Sequence, residues 1–330
     1  MKDKYGRTIE YLRVSVTDRC DLRCRHCMPP EGVPLMAHED ILSYEEIAAV
    51  VTEAAKLGVR KIRLTGGEPL VRPQLALLVK MLKSIPGIEQ VVLTTNGVRL
   101  AQQLPDLLTA GLSGVNFSLN AMDREAYEAF AGRDRFDAAM AGLHAALDAP
   151  GLSVKINCVP TKGREEQVLK IASLARDTRA SVRFIELMPI GMGSSLQGLT
   201  RDELFQLLES QYCPEGWRQG GTEGDPDDKA PKGPAEYVRF PGFASDIGFI
   251  SAVSHRFCGE CNRIRLTADG KLKSCLAFPA REDVKAILRG GAGEEALRES
   301  IVRCVQNKPK QHAFGFQKTE EQRSMSQIGG

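Results

Sequence analysis

The sequence predicts an α/β chain: an open, three-quarter (β/α)6 barrel of the TIM type, followed by a C-terminal α+β extension. Three observations lead there. Six apolar β-type runs alternate with amphipathic helical stretches through the first two-thirds of the 330 residues, the pattern of a parallel sheet with right-handed crossovers. The units number six, two short of the eight that close a full barrel. Several of the strands also divide into an apolar face and a polar face.

In chain order the strands are read at Tyr11–Thr17, Lys61–Thr65, Gln90–Thr95, Gly114–Asn120, Ser153–Val159 and Val182–Met188. The first helix, Ser43–Leu57, has Ser43 as N-cap, Glu46 three residues on, and Gly58 as its stop. Pro73–Ile85, Leu100–Ala110, Phe136–Ala149 and Arg164–Arg176 follow as further amphipathic stretches. The strand faces separate Arg13, Ser15 and Thr17 from Leu12, Val14 and Val16, and Arg63 and Thr65 from Ile62 and Leu64. Asn116, Ser118 and Asn120 oppose Val115, Phe117 and Leu119, and Lys155 and Asn157 oppose Val154, Ile156 and Cys158. Helices should cover the outer face, so the polar face must turn into the barrel. A closed barrel packs branched aliphatics there; a lumen of Arg, Lys, Ser, Thr and Asn suits a polar, anionic occupant.

Residues 213–234, CPEGWRQGGTEGDPDDKAPKGP, read as a loop or linker. The expected division is therefore 1–212 for the partial barrel, 213–234 for the linker and 235–330 for a C-terminal domain. That last part holds β-like runs at Glu236–Phe240, Ile247–Ile250 and Arg263–Thr267 and two helical stretches.

Composition narrows the class. With 42% hydrophobic and 26% charged residues the chain is ordinary globular material, large enough for a substantial core. Lys+Arg 44 against Asp+Glu 42 is too balanced to make nucleic acid or a membrane surface the main partner. No run is apolar enough to span a bilayer and no signal core opens the chain, so a cytoplasmic location is the expectation.

Six of the nine cysteines fall into two groups: Cys20-x3-Cys24-x2-Cys27, and Cys258-x2-Cys261 followed by Cys275. Cys158, Cys213 and Cys304 stand alone, Cys158 in a strand pattern that makes it core. In a long chain without a secretory signal, metal ligation is a better reading than disulfides. Each group offers three thiolates. A structural zinc takes four ligands, so His26 or His255 would have to complete it, whereas an iron–sulfur cluster with three cysteines keeps one iron open. The first group directly follows strand one, at the barrel end where active sites are built. The same edge carries Gly66-Gly67-Glu68-Pro69, Thr94-Thr95-Asn96-Gly97 and Met188-Pro189.

Cys20-x3-Cys24-x2-Cys27 resembles the signature of the radical S-adenosylmethionine (SAM) superfamily, and Gly66-Gly67-Glu68-Pro69 is similar to the segment that binds the methionine amino group there. The second cysteine group, the adjoining Asn262-Arg263-Ile264-Arg265 and the terminal Gly329-Gly330 make the whole chain similar to the GTP 3′,8-cyclase family, which includes the molybdenum cofactor biosynthesis protein A. The resemblance implies two 4Fe–4S clusters, on Cys20, Cys24 and Cys27 and on Cys258, Cys261 and Cys275. It implies SAM contacts at His26, Gly67, Ser118 and Met188, and GTP contacts at Arg13, Arg63, Thr94, Lys155, Arg263 and Arg265. Arg263, Arg265, Gly329 and Gly330 are then catalytic, with the tail entering the site. Residue 26, a tyrosine in many relatives, is His26 here.

The implied reaction is the first step of molybdenum cofactor biosynthesis. A 5′-deoxyadenosyl radical removes the ribose 3′ hydrogen of GTP, the carbon radical attacks guanine carbon 8, and (8S)-3′,8-cyclo-7,8-dihydroguanosine 5′-triphosphate results. Implied partners are an external one-electron reductant, flavodoxin-like or similar, and the cyclic pyranopterin monophosphate synthase that takes the product, with the enzyme a monomer or homodimer. The residues also leave open a radical SAM enzyme that modifies a peptide, with an auxiliary cluster, and a zinc-stabilised binding protein.

Overall fold

In the computed structural model, residues 1–214, 234–312, 314, 321 and 323–329 are described. The six expected strands are β1 (Tyr11–Ser15), β2 (Lys61–Thr65), β3 (Gln90–Thr95), β4 (Gly114–Ser118), β5 (Ser153–Cys158) and β6 (Ser181–Ile185). They lie side by side in that order, all parallel. Several stop two or three residues short of the runs read from the sequence. Their last polar residues turn out of the ladder to build the rim.

Helices α1 (Tyr44–Lys56), α2 (Leu75–Lys83), α3 (Leu100–Thr109), α4 (Arg124–Ala131), α5 (Phe136–Asp148), α6 (Glu165–Asp177) and α7 (Arg201–Tyr212) belong to the barrel half. The α1 start is as expected: Ser43 Oγ accepts from the Glu46 N–H at 3.1 Å, and Glu46 Oε2 accepts from the Ser43 N–H at 2.7 Å. Such a cap stabilises a helix by about 1 kcal/mol. α4 and α7 were not anticipated. α4 shares one connection with α5, so the two patterns ran together. α7 carries the same box on Thr200 and Glu203.

The apolar strand faces point outward as argued. Leu12, Ile62, Leu64, Val91, Leu93, Phe117, Ile156 and Phe184 are essentially buried in one core with Ile47, Val51, Leu78, Leu82, Leu107, Leu143 and Ile171 from the helices. Cys158 lies in the same core.

The C-terminal stretch does not form a separate layer. Its strands β7 (Glu236–Val238), β8 (Ile247–Ile250), β9 (Arg263–Leu266), β10 (Lys271–Lys273) and β11 (Glu282–Asp283) join both ends of the same sheet. β8 pairs in parallel with β6 and carries β7 outside it; β9 pairs in parallel with β1 and carries β10 and β11. The order is β11-β10-β9-β1-β2-β3-β4-β5-β6-β8-β7. Two strands beyond the six therefore extend the parallel array, and the barrel stays open between its antiparallel edges. α8 (Val284–Arg289) and α9 (Gly293–Gln306) lie against α1, joined by Arg289–Glu46 at 2.7 Å and Arg298–Glu53 at 2.9 Å. A four-residue turn, α10 (Met325–Ile328), is the last helix, and Gly329 is the last described residue. The expected linker lies almost wholly outside the described residues, as does Gly330.

Candidate active site

Period-two alternation sends one side chain in two into the barrel. Parallel register then stacks them: Arg265 of β9 lies beside Arg13 of β1, and Arg13 beside Arg63 of β2. Neighbouring strands are about 4.8 Å apart, so three guanidinium groups enter the lumen at one level. Farther round, Thr94, Asn116, Lys155 and Ser181 form a second row. All of these line a cavity of about 820 Å³, together with Arg263, Ser118, Met188, His26 and the second cysteine trio. That volume falls within the usual range of small-molecule sites, about 300–1,000 Å³.

The cations strain against one another. Burial holds Arg13 down to about 9, and Arg265 adds to the effect; burial likewise holds Arg63 to about 9 and Arg265 to about 10, the latter with help from Arg263. All remain charged at neutral pH. The Nε of Arg63 and the hydroxyl of Thr94 are buried with no hydrogen-bond partner among the described residues. Buried polar groups are normally satisfied, so these two are donors prepared for a ligand. A polyanion fits this cavity; a neutral occupant would leave it unbalanced.

The first trio sits in the loop after β1. Val16 N–H donates to Thr65 O, Gly67 N–H to Thr17 O and Glu68 N–H to Arg19 O, all within 2.9 Å, so the glycine segment pairs with the strand end leading to Cys20. A Cβ on Gly67 would lie 2.3 Å from Arg19 O, so only glycine fits. Glu68 Oε1 accepts from Thr95 Oγ1 at 2.8 Å and Leu70 N–H at 3.0 Å, and its Oε2 from Asn96 N–H at 2.7 Å. Asn96 Nδ2 then donates to Asp21 Oδ1 at 2.8 Å, closing the chain back to the cysteine loop. From the other side, the Arg23 and Arg25 N–H groups donate to Ala131 O and Phe130 O at the end of α4.

Cys20, Cys24 and Cys27 line a smaller hollow of about 140 Å³ with Gly66, Gly67 and Glu68; His26, Thr94, Ser118, Asn120 and Met325 line both hollows. Burial lifts Cys20 to about 12 and Cys27 to about 11, and Cys24 well above the usual thiol range. His26 packs on Phe130 at 5.3 Å between ring centroids, and burial holds its imidazole down to about 4. It is a neutral ring at pH 7.

Cys258, Cys261 and Cys275 face the large cavity, with Arg263 beside Cys261. Cys261 responds oppositely to the first trio. Burial pushes it up, but Arg263 and Lys308 outweigh that and bring it down to about 6. Among the described residues no three His, Cys, Asp or Glu side chains converge on a point that would hold a single metal ion, and His255 is exposed and bonded to Ser254. A cubane spreads its thiolates over three iron corners, so it needs three cysteines round one hollow rather than three donors on one point. Cys20, Cys24 and Cys27 line the smaller hollow together, and Cys258, Cys261 and Cys275 the larger. The donor sets fit two three-thiolate clusters.

The tail reaches the same place. Gly329 O accepts from Arg265 Nη1 at 2.6 Å, and a Cβ there would press on Ser15 and Thr65 at 3.0–3.2 Å. Ile328 and Met325 pack in a small apolar cluster with Met188 and Cys275. Lys273 and Glu321 form a buried ion pair that anchors the tail's approach.

Sequence reading missed Lys61, Arg183 and Lys308. Lys61 and Arg183 were legible, since they continue the inward alternation of β2 and β6; Arg183 donates to Asn157 Oδ1 at 3.0 Å and to Asn116. Lys308 follows α9 in a stretch without periodicity, and nothing local marks it.

Residues 14–175 match the Radical SAM superfamily, and residues 180–314 match Molybdenum Cofactor Synthesis C. Over the full length of both chains, this protein is 43% identical to a GTP 3′,8-cyclase of Moorella thermoacetica, 42% to one of Petrotoga mobilis and 37% to one of Clostridium perfringens. The chain belongs to the GTP 3′,8-cyclase family. Among solved structures, Streptococcus suis SuiB bound to S-adenosylmethionine aligns at a TM-score of 0.55 and 14% identity, covering 89% of this chain and 68% of that one. SuiB bound to precursor peptide SuiA aligns at 0.59, covering 92% and 66%. That likeness concerns fold, and it extends beyond the barrel into the C-terminal strands. Two 4Fe–4S clusters and SAM are the cofactors of the GTP 3′,8-cyclase family. No helix among the described residues is long and apolar enough to cross a membrane.

Proposed function

We propose that this GTP 3′,8-cyclase family member converts GTP to (8S)-3′,8-cyclo-7,8-dihydroguanosine 5′-triphosphate, the first step of molybdenum cofactor biosynthesis. The observation that carries the reading is the in-register row Arg265–Arg13–Arg63, in a cavity onto which the second cysteine trio opens directly and the first through a shared wall. When bound, the first cluster and SAM supply, on one-electron reduction, the radical that takes the ribose 3′ hydrogen. The chain's own residues do the rest. Arg13, Arg63, Arg263, Arg265 and Lys155 neutralise the triphosphate, and Thr94 adds a donor. Cys258, Cys261 and Cys275 hold the second cluster at the guanine end. Gly67, Ser118 and the neutral ring of His26 line the SAM hollow, and Met188 contacts SAM from the large cavity. Gly329, fixed through Arg265, closes the rim and excludes water and stray hydrogen donors.

Residues 1–212 thus generate the radical and share the hold on the substrate with 235–330, in the cytoplasm. A flavodoxin-like one-electron donor supplies the electron, and a cyclic pyranopterin monophosphate synthase takes the product. The test is anaerobic incubation of the reconstituted protein with SAM, GTP and dithionite. A cyclised guanosine triphosphate formed with 5′-deoxyadenosine supports the reading. Cleavage of SAM with GTP recovered unchanged, while a peptide is modified instead, would overturn it.

A further inference from the structure

The second trio is not held by its own loop alone. Cys258 and Cys261 lie in one segment and Cys275 in another, beyond β9 and β10; the β9–β10 ladder joins the two segments, and buried side chains from the two ends of the chain add further bonds to them. Lys308 is only 2% exposed. Its Nζ donates to Arg263 O at 2.7 Å, two residues past Cys261, and to Ser274 O at 2.6 Å, immediately before Cys275. Arg7, also buried, donates from Nη1 to Cys258 O at 2.7 Å and Lys310 O at 3.2 Å, and from Nη2 to Pro309 O at 2.7 Å. Its Nε pairs with the buried Asp3 at 2.6 Å.

The two cations differ in one respect. Arg7 has its counter-charge in Asp3. Lys308 has none: its described partners are two carbonyl oxygens, and no carboxylate pairs with it among the described residues. An ammonium buried without an anion is costly. The nearby anions available are the thiolates, and Lys308 acts electrostatically on Cys261. We infer that Lys308 and Arg7 are positioning residues for the second cluster, both locking its ligand segments together and Lys308 also supplying the fixed positive charge that balances it. Partners around a metal site that orient ligands and tune the group are a general feature of such sites, and local net charge moves cluster potentials. The first trio has the carboxylates Glu68 and Asp21 among its charged neighbours, with Arg23 bonded to the Cys20 carbonyl at 2.9 Å, so its surroundings are of mixed sign where those of Cys261 are cationic.

This inference rests on the reading that Cys258, Cys261 and Cys275 hold a cluster. The experiment uses the full chain, reconstituted anaerobically, with iron and sulfide analysis and a redox titration followed by electron paramagnetic resonance. Wild-type protein with about eight irons per chain is consistent with two four-iron clusters; about four would sink the two-cluster reading itself. Given eight, Lys308→Gln keeps donors for the two carbonyls and drops the charge. The second cluster's potential should move negative while the first cluster's stays, and Lys308→Arg should restore it. Arg7→Gln keeps the charge at Lys308 but cuts the clamp, and should lose the second cluster's iron to a chelator severalfold faster than wild type. Arg7→Lys, should the first variant fold poorly, carries the same expectation at smaller size. If Lys308→Gln titrates like wild type, or Arg7 variants release iron at the wild-type rate, the inference is wrong while the two-cluster enzyme stands.

Discussion

The two cysteine trios offer the same three thiols to the same kind of group, yet the chain builds them in opposite ways. The first lies within eight residues, is fixed by backbone bonds to the ends of β2 and α4, and sits beside Glu68 and Asp21 in a pocket that drives its thiols to about 11–12 or higher. The second spans eighteen residues, is closed by Arg7 and Lys308 from the chain ends, and sits among cations that bring Cys261 down to about 6. Burial alone protects the neutral thiol; cations nearby reverse that.

The sharpest way to break that comparison is to remove one thiol from each trio. Cys24→Ala should abolish 5′-deoxyadenosine formation altogether, while Cys261→Ala should still cleave SAM but form no cyclised nucleotide, both read by anaerobic chromatography. Equal loss of SAM cleavage in the two variants would mean the trios are not functionally separate. Next in size, Arg265→Ala removes a cation next to Arg13 and the hydrogen bond to Gly329. GTP affinity, measured by equilibrium dialysis, should fall about 30- to 1,000-fold, the weight of a buried charge partner worth about 2–4 kcal/mol, with SAM affinity unchanged.

The tail anchor comes third. Lys273→Met removes one of the two cations on Glu321 and leaves Arg323 bonded to it at 3.3 Å, at a cost of about 2 kcal/mol in denaturant unfolding, whereas Lys273→Met with Glu321→Leu should recover part of it. No recovery in the double variant would show that the pair is not the source of the loss. The smallest effect has the opposite sign. Arg63→Gln removes a buried charge that the ligand-free protein holds unfavourably, so its Tm should rise by about 2 °C, roughly 1 kcal/mol for a chain of this size, as GTP binding weakens. A lowered Tm would argue that the cation row is already compensated without substrate.

Much of this was legible in local spacing. The six strand–helix units, the polar inner faces, both cysteine groups and the Ser43 cap are written in residues close together in the chain, because a period of two or 3.6 and a ligand spacing of three or four are local properties. α7 was equally legible through Thr200 and Glu203. α4 was not, since eight residues close to α5 yield no separate period.

Sequence by itself therefore determined the barrel units, the sign of the lumen and the kind of cofactor, since each depends on neighbours a few bonds apart. Only the tertiary structure decided that β9 lies against β1 to bring Arg265 beside Arg13, that β8 extends the other edge, and that Arg7 and Lys308 clamp the second trio. Those contacts run from 34 positions apart, Lys308 to Ser274, to 303 apart, Arg7 to Lys310, and a pairing at such distances leaves no mark on the local pattern of either partner. It is set by which edges and buried charges remain unsatisfied once the local elements have formed.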